Sequence, residues 1–375
     1  MKKLLCSLSF YFSVFSLFSQ TEYSIQNGYI IAVGGGNDNA ALEKISNILD
    51  EFTDTIIIVP TACPDKYIDP IGNDYNCSKY YVDFFRERGY INVQVLHTRS
   101  IDSANSQSFI APLKKAKAVW FTGGRSPHLA DSYLNTSLHK ELFSVLARGG
   151  IVGGTSGGAT ILGSFLVRGQ LENNTIMVGD HIEGFGLIKN TAIDQHILVR
   201  NRQFDMFEVL KKNRKITGIG IDENTTIVVH NGILEVIDGS YVAIYDGTYW
   251  DRYTLVLKKI NKRSKQFYFL RPFDLYDLTE KKVLTRLNKK PIEISQNELK
   301  KYIGTYCSET DTVRITVIND KLTIDKKELL PFSKEEFYHL KNDYRYLFMA
   351  NPDGVVIELR ILGNQKFIYK KMNCN

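Results

Sequence analysis

From Tyr29 to about Arg252 the chain alternates short β-branched, apolar runs with longer stretches of helical periodicity. Residues 29–33, 55–59, 93–96, 118–121 and 151–152 predict strands, and residues 39–50, 78–88 and 137–148 between them predict helices. Strands that are apolar throughout, with no alternation of polar positions, belong to sheets buried on both faces. The pattern therefore predicts a mainly parallel sheet covered by helices on either side. In such sheets ligands bind at the carboxyl ends of the strands, where Gly34-Gly35-Gly36, Gly123-Gly124 and Ser156 all emerge.

Beyond Glu223 the spacing shortens. Residues 226–230, 233–237, 243–246 and 253–260 read as strands, with Asn231-Gly232 and Asp238-Gly239 as hairpin signals, and predict an antiparallel extension of the same domain. Residues 261–292 are polar and lysine-rich and read as a linker. From Leu299 onward aromatic and β-branched runs predict a small all-β barrel or sandwich, without a set of residues suited to chemistry. At the other end, two lysines, an apolar stretch over residues 4–18 and Ser19-Gln20 read as a secretory signal peptide. Four serines interrupt that stretch and it is short for a membrane span. The expected division is a signal peptide over 1–20, an α/β domain over 21–260, a linker over 261–292 and a β-domain over 293–375. A secreted or periplasmic protein is expected, with no membrane integration after processing.

Composition changes this picture little. The chain has 375 residues, 43% hydrophobic and 23% charged, which suits a globular protein of two or three domains. Loss of Lys2 and Lys3 takes the formal charge from +6 to +4, and pairs such as Lys258-Lys259 and Lys289-Lys290 read as solvated faces, so nucleic acid is not expected as a partner. Four cysteines would remain, Cys63, Cys77, Cys307 and Cys374. Export allows bridges Cys63–Cys77 and Cys307–Cys374, with free buried thiols as the alternative. There is no Cys-x-x-Cys or His-x-x-x-His pair, and no metal or cofactor is expected. Gly34-Gly35-Gly36 lacks the G-x-G-x-x-G spacing and an acid after the second strand, so it reads as a tight turn rather than a dinucleotide site.

The chemistry concentrates at Gly153-Gly154-Thr155-Ser156-Gly157-Gly158-Ala159, after the strand at 151–152. Gly154-x-Ser156-x-Gly158 fits a nucleophile elbow, in which a strand turns sharply into a helix and leaves a serine at the tip. The N–H of Gly157 and the free donors of the helix start would face a developing oxyanion. Thr122-Gly123-Gly124 ends another strand and offers further N–H groups. Downstream come Asp194-Gln195-His196, Arg200 and Arg202, then Gly218-Ile219-Gly220-Ile221-Asp222-Glu223. A serine, a histidine and acids, each at a strand end, are the groups needed for acyl transfer.

Phe121-Thr122-Gly123-Gly124, the serine segment, Asp194-Gln195-His196 with the two arginines, and the segment ending in Asp222-Glu223 together resemble the cyanophycinase and dipeptidase E family of serine peptidases, over about residues 28–250. The resemblance implies a flavodoxin-like α/β fold related to class I glutamine amidotransferases, beside the small C-terminal all-β domain. It implies a serine exopeptidase that cleaves aspartyl peptide or isopeptide bonds, and with the signal peptide the expectation is a secreted one. By the same resemblance Ser156 is the nucleophile, His196 the general base, Gly157 an oxyanion donor and the Gly123-Gly124 turn the second. Glu223 and Glu172 both match acids that could orient the histidine, with Glu223 favoured. Asp194, Gln195, Arg200 and Arg202 match the substrate-binding set, with a structural salt bridge as the other reading of the arginines. The partner would be an aspartyl-containing peptide or polypeptide, and a homodimer is left open. The chain departs from the family's pattern at Arg125-Ser126-Pro127-His128, where a glutamine is usual, at Asp205, where an arginine is usual, and at Gly157, where an alanine is usual and a looser turn is expected. An α/β-hydrolase esterase using Ser156, Glu172 and His196, and a non-catalytic peptide-binding protein, are the competing readings.

Overall fold

The structure, a computed structural model, describes residues 27–68, 76–251, 256–259, 265–285, 291–339, 342–363 and 366–372. The expected signal peptide and Cys374 lie outside these residues.

Two large sheets build the α/β unit, and Thr248–Asp251 pairs with Val256–Lys259 in a separate two-stranded one. The first has nine strands in the order β16-β15-β10-β9-β1-β5-β4-β2-β3. Its parallel half comprises β1 (Tyr29–Val33), β2 (Thr55–Val59), β3 (Val93–Val95), β4 (Ala116–Phe121) and β5 (Ile151–Thr155). Alternate residues of these strands point to opposite faces, and both faces are apolar. Ile30, Ala32, Ile57 and Val59 enter a core shared with α4 (Gln107–Lys115), α5 (Ser126–Tyr133), α6 (Ser137–Ala147) and the second sheet, whereas Ile31, Val33, Ile56 and Ile58 enter a core under α1 (Asn39–Ser46) and α2 (Lys79–Glu87). Packing on both sides is what makes the strand runs apolar throughout.

The second sheet runs β14-β11-β8-β7-β6. In it β6 (Gly163–Phe165), β7 (Ile188–Gln195) and β8 (Thr217–Ile221) are parallel, β11 (Val242–Tyr245) pairs antiparallel with β8, and β14 (Tyr268–Leu270) pairs antiparallel with β11. The hairpin β9 (Thr226–His230) and β10 (Ile233–Asp238) joins the first sheet, antiparallel to β1. The expected single sheet is thus two, and the serine and the histidine come from different ones.

The linker expected over 261–292 is corrected over its described residues. Residues 268–270 pair with β11, while β15 (Leu275–Asp277) pairs with β10 and β16 (Lys282–Val283) with β15. Tyr268, Leu270, Tyr276 and Val283 are buried in the α/β core, so lysine-rich composition masked alternating apolar positions. The strands from Gly304–Cys307 to Lys366–Lys371 form a nine-stranded sheet with its own core around Tyr302, Tyr306, Phe337 and Phe348. Arg345 of this unit donates to the Phe273 carbonyl at 2.9 Å.

Candidate active site

Ser156 stands between β5 and the one-turn helix α7 (Gly157–Thr160) with φ +51° and ψ −114°. A non-glycine residue there carries about 1–3 kcal/mol of backbone strain. Neighbouring bonds hold it: the Ser156 N–H donates to the Val33 carbonyl at 2.9 Å, and its carbonyl receives Ala159 and Thr160 N–H at 3.1 and 3.0 Å. The side chain is left half-buried at the carboxyl end of the sheet.

The histidine arrives from the second sheet. His196 follows β7, has φ +55°, and donates its N–H to the Gly34 carbonyl at 3.0 Å. Gly34-Gly35-Gly36 is the seam between the two sheets. At Gly35, φ is +103° and an added Cβ would stand 2.1 Å from His196 Cε1, so the backbone itself is the floor beneath the imidazole. His196 Nε2 lies 2.9 Å from Ser156 Oγ, and Nδ1 lies 2.5 Å from Glu223 Oε1. The network sets the tautomer: Nδ1–H donates to the carboxylate and Nε2 accepts from the serine hydroxyl. Burial, reinforced by the Arg200 charge, holds the His196 pKa below its ordinary value against the opposing pull of Glu223.

Of the two acids that could serve the histidine, Glu223 occupies the place and Glu172 does not. Strand β8 lies beside β7, so the residues following each meet. Asp222 turns back to accept the N–H groups of Leu198 and Val199 at 2.9 and 3.1 Å, and Glu223 turns to the imidazole. Glu172 is exposed in the loop after β6, and among the described residues no hydrogen bond joins it to the site.

Gly123 and Gly157 flank Ser156, and neither N–H has an acceptor among the described residues. An added Cβ at Gly157 would lie 2.4 Å from the Gly124 carbonyl oxygen. The usual alanine therefore gives way here to close contact between the two donor-bearing turns, not to the looser turn expected.

The expected substrate-binding set divides. Asp194 is buried with both oxygens engaged by Arg168, at 2.7 and 2.8 Å, and Arg168 also reaches Asp205 at 2.8 Å. Asp194 is thus a structural partner in this chain, and Asp205, which stands where an arginine was expected, completes that cluster. Burial lowers the Arg168 pKa but the two carboxylates outweigh it and hold it above its ordinary value. Gln195 is buried and its Oε1 accepts from Arg202 Nη1 at 3.2 Å. Arg202 finds carbonyl and amide oxygens rather than a salt bridge, and burial beside Arg168 pushes its pKa down to about 10. Arg200 is exposed. Arg125, the first of the four residues where the chain departs from the expected pattern, turns to the carbonyls of Gln170 and Leu171.

A cleft of about 350 Å³ opens beside Ser156 and His196. Its lining includes Asp38, Tyr80, Tyr81, Gly123 and both cysteines of the Cys63–Cys77 disulfide. Asp38 accepts from Thr155 Oγ1 at 2.7 Å and Tyr81 OH at 2.6 Å, and burial raises its pKa. Asp38 and Arg168 were missed in the sequence. Their signals were an acid just after the glycine run and a lone arginine inside the apolar stretch 165–168. Among the described residues no group of His, Cys, Asp and Glu could hold a metal. Cys307 is free of a disulfide among the described residues, so the expected pairing with Cys374 lies outside them.

The sequence model of peptidase family S51 matches residues 30–237, more than half of the chain. The chain is similar to the cyanophycinase of Geminocystis herdmanii (strain PCC 6308), 30% identical over 229 residues that cover 58% of this chain and 80% of that protein. It is similar also to the cyanophycinase of Synechococcus elongatus, 27% identical over 233 residues that cover 60% and 70%. Among solved structures it is similar to a peptidase from an acI-B1 Actinobacterium, with 20% identity, a TM-score of 0.46, and coverage of 64% of this chain and 96% of that one.

Proposed function

Since the chain belongs to peptidase family S51, we propose that it is an exported serine exopeptidase, cyanophycinase-like, that hydrolyses peptide or isopeptide bonds at aspartyl residues through Ser156, His196 and Glu223. The carrying observation is the unbroken relay of 2.9 Å from Ser156 Oγ to Nε2 and 2.5 Å from Nδ1 to Glu223.

In this reading the Ser156 oxygen attacks the scissile carbonyl while Nε2 takes the hydroxyl proton. The imidazolium is stabilised by Glu223, and the tetrahedral oxyanion receives the N–H groups of Gly157 and Gly123. His196 then protonates the leaving amine, and water repeats the sequence on the acyl-enzyme. With Asp194 held by Arg168 and Arg202 buried against carbonyl and amide oxygens, the exposed cation beside the site is that of Arg200. A guanidinium pairs a carboxylate through two parallel hydrogen bonds, which supports an aspartyl residue at that side of the site. Export is supported by the Cys63–Cys77 disulfide, a bond that persists in oxidising compartments. The flavodoxin-like class is supported by the parallel order β3-β2-β4-β5-β1, which becomes 2-1-3-4-5 when β1 is counted last.

The test is incubation with cyanophycin and a panel of α- and β-aspartyl peptides, read by mass spectrometry, beside the Ser156→Ala variant. Cleavage at aspartyl residues is expected, falling by about four to six orders of magnitude in the variant. Hydrolysis of small esters without peptide cleavage would favour the esterase instead, and turnover surviving in Ser156→Ala would overturn the nucleophile.

A further inference from the structure

We propose that the Cys63–Cys77 disulfide is a brace across the catalytic cleft that positions the oxyanion turn, so that a dithiol lowers turnover without unfolding the protein. The inference rests on the serine-peptidase reading above.

The bond joins two walls. On one side, the segment after β2 carries Cys63 and is gripped by Arg99, which donates to the Thr61 and Cys63 carbonyls at 2.5 and 2.7 Å and to the Asp65 carboxylate at 2.9 Å. That segment supports the oxyanion turn directly. The Ala62 carbonyl accepts the Arg125 N–H at 2.8 Å. It also lies so close to Gly124 that an added Cβ there would be 2.2 Å from its oxygen. Cys63 Sγ rests 3.4 Å from the Gly123 carbonyl oxygen. Gly123 in turn faces the nucleophile, its Cβ position 3.5 Å from Ser156 Cβ.

On the other side, Cys77 precedes α2, whose Tyr81 hydroxyl donates to Asp38. Asp38 holds Thr155, the residue before the nucleophile, at 2.7 Å. One covalent bond therefore ties the donor turn to the wall that anchors the elbow, and both cysteines line the cleft between them. An oxyanion donor is useful only at the position where charge develops, so a small shift of Cys63 is transmitted to Gly123 as lost transition-state stabilisation.

Reduction balances simply. One thiolate of the dithiol attacks a sulfur of the bridge to form a mixed disulfide, and its second thiol displaces the chain's sulfur. Two electrons and two protons pass to give thiols at Cys63 and Cys77, and the dithiol leaves as a cyclic disulfide.

The test uses the whole protein and a peptide cleaved in the panel above, with dithiothreitol as the dithiol. Expected on reduction is a fall in kcat of about ten- to a thousandfold with KM little changed, recovered on reoxidation with oxidised glutathione. A peptide aldehyde that adds to Ser156 should lose affinity by the same factor, because its hemiacetal oxygen uses the same donors. Cys63→Ser with Cys77→Ser should match the reduced enzyme and ignore dithiothreitol, whereas Cys307→Ser should respond as the parent does. Unchanged turnover, unchanged aldehyde affinity, or a loss that only tracks thermal unfolding would overturn the brace and leave the peptidase reading intact. A protein silent in both redox states would overturn that reading, and the brace with it.

Discussion

The two nine-stranded sheets of this chain match in strand number and differ in where they keep their polar groups. In the α/β unit buried polar side chains are many, and Asp38, Thr122, Thr155 and His196 among them line one cleft, with Asp194, Gln195, Arg202 and Asp222 buried at or after the strand ends of the histidine's sheet. In the C-terminal β unit the buried polar side chains are Thr323 and Glu358, the latter paired with Arg360 and Lys370. Strained backbone divides the same way. In the β unit the positive-φ residues Asn319, Asp320, Asp325 and Lys326 sit at two-residue hairpin turns, whose geometry demands that conformation and which asparagine and aspartate adopt readily. Among those of the α/β unit are Ser156, whose φ of +51° and ψ of −114° lie outside the left-handed helical region, and His196, and neither stands at a hairpin turn. Strain on a reactive side chain, backed by bonds from neighbouring strands, marks a site in a way that strain at a turn does not.

Removing the acid behind the histidine should sharpen that contrast most. Glu223→Gln keeps the shape but takes away the charge that stabilises the imidazolium and favours the working tautomer, so kcat should fall about ten-thousandfold. Glu172→Gln, an exposed change, should leave kcat within about twofold. Equal losses from both, measured by initial rates on one peptide, would break the assignment of the acid.

A pair of glycines offers the next test. Gly35 and Gly354 both have positive φ, +103° and +78°, but a Cβ at Gly35 meets the imidazole at 2.1 Å whereas nothing lies within 4 Å at Gly354. Alanine at either position strains the backbone, and thermal unfolding should register both. Only Gly35→Ala should displace His196 and lose about a hundredfold or more in kcat/KM. If Gly354→Ala lost activity equally, the β unit would have a role in catalysis that its own core does not reveal.

What could be read from the sequence follows the same division. The parallel strands were legible because burial on both faces writes a continuous apolar run, and the elbow because its glycines are required by sterics. Tyr268 to Val283 was misread because the lysines that flank and end the segment outweighed the buried positions alternating within it. Asp194 was legible as a site residue but not in its role, since the ion pair with Arg168 joins positions 26 apart and sequence spacing carries no sign of it. The choice between Glu172 and Glu223 likewise needed the pairing of β7 with β8, which brings the residue after one strand to the residue after the other.

The smallest expected effect concerns charge. His196 must be neutral at Nε2 to take the serine proton, so activity falls on the acid side as the imidazole protonates. Burial and then Arg200 hold its pKa below the ordinary value, which extends activity to lower pH. Arg200→Gln removes a cation that disfavours the imidazolium, so the pKa rises and the acid limb of kcat/KM moves to higher pH. Because Arg200 is exposed, salt screens it, and raising ionic strength should move the parent's limb in the same direction. Lys321, paired with Glu328 at 2.6 Å on the β unit, provides the counterpart. Lys321→Gln should leave the limb where it is, and salt should move this variant's limb as far as it moves the parent's. A limb unmoved by Arg200→Gln would mean that burial alone tunes the histidine, and that Arg200 serves the substrate without tuning the base.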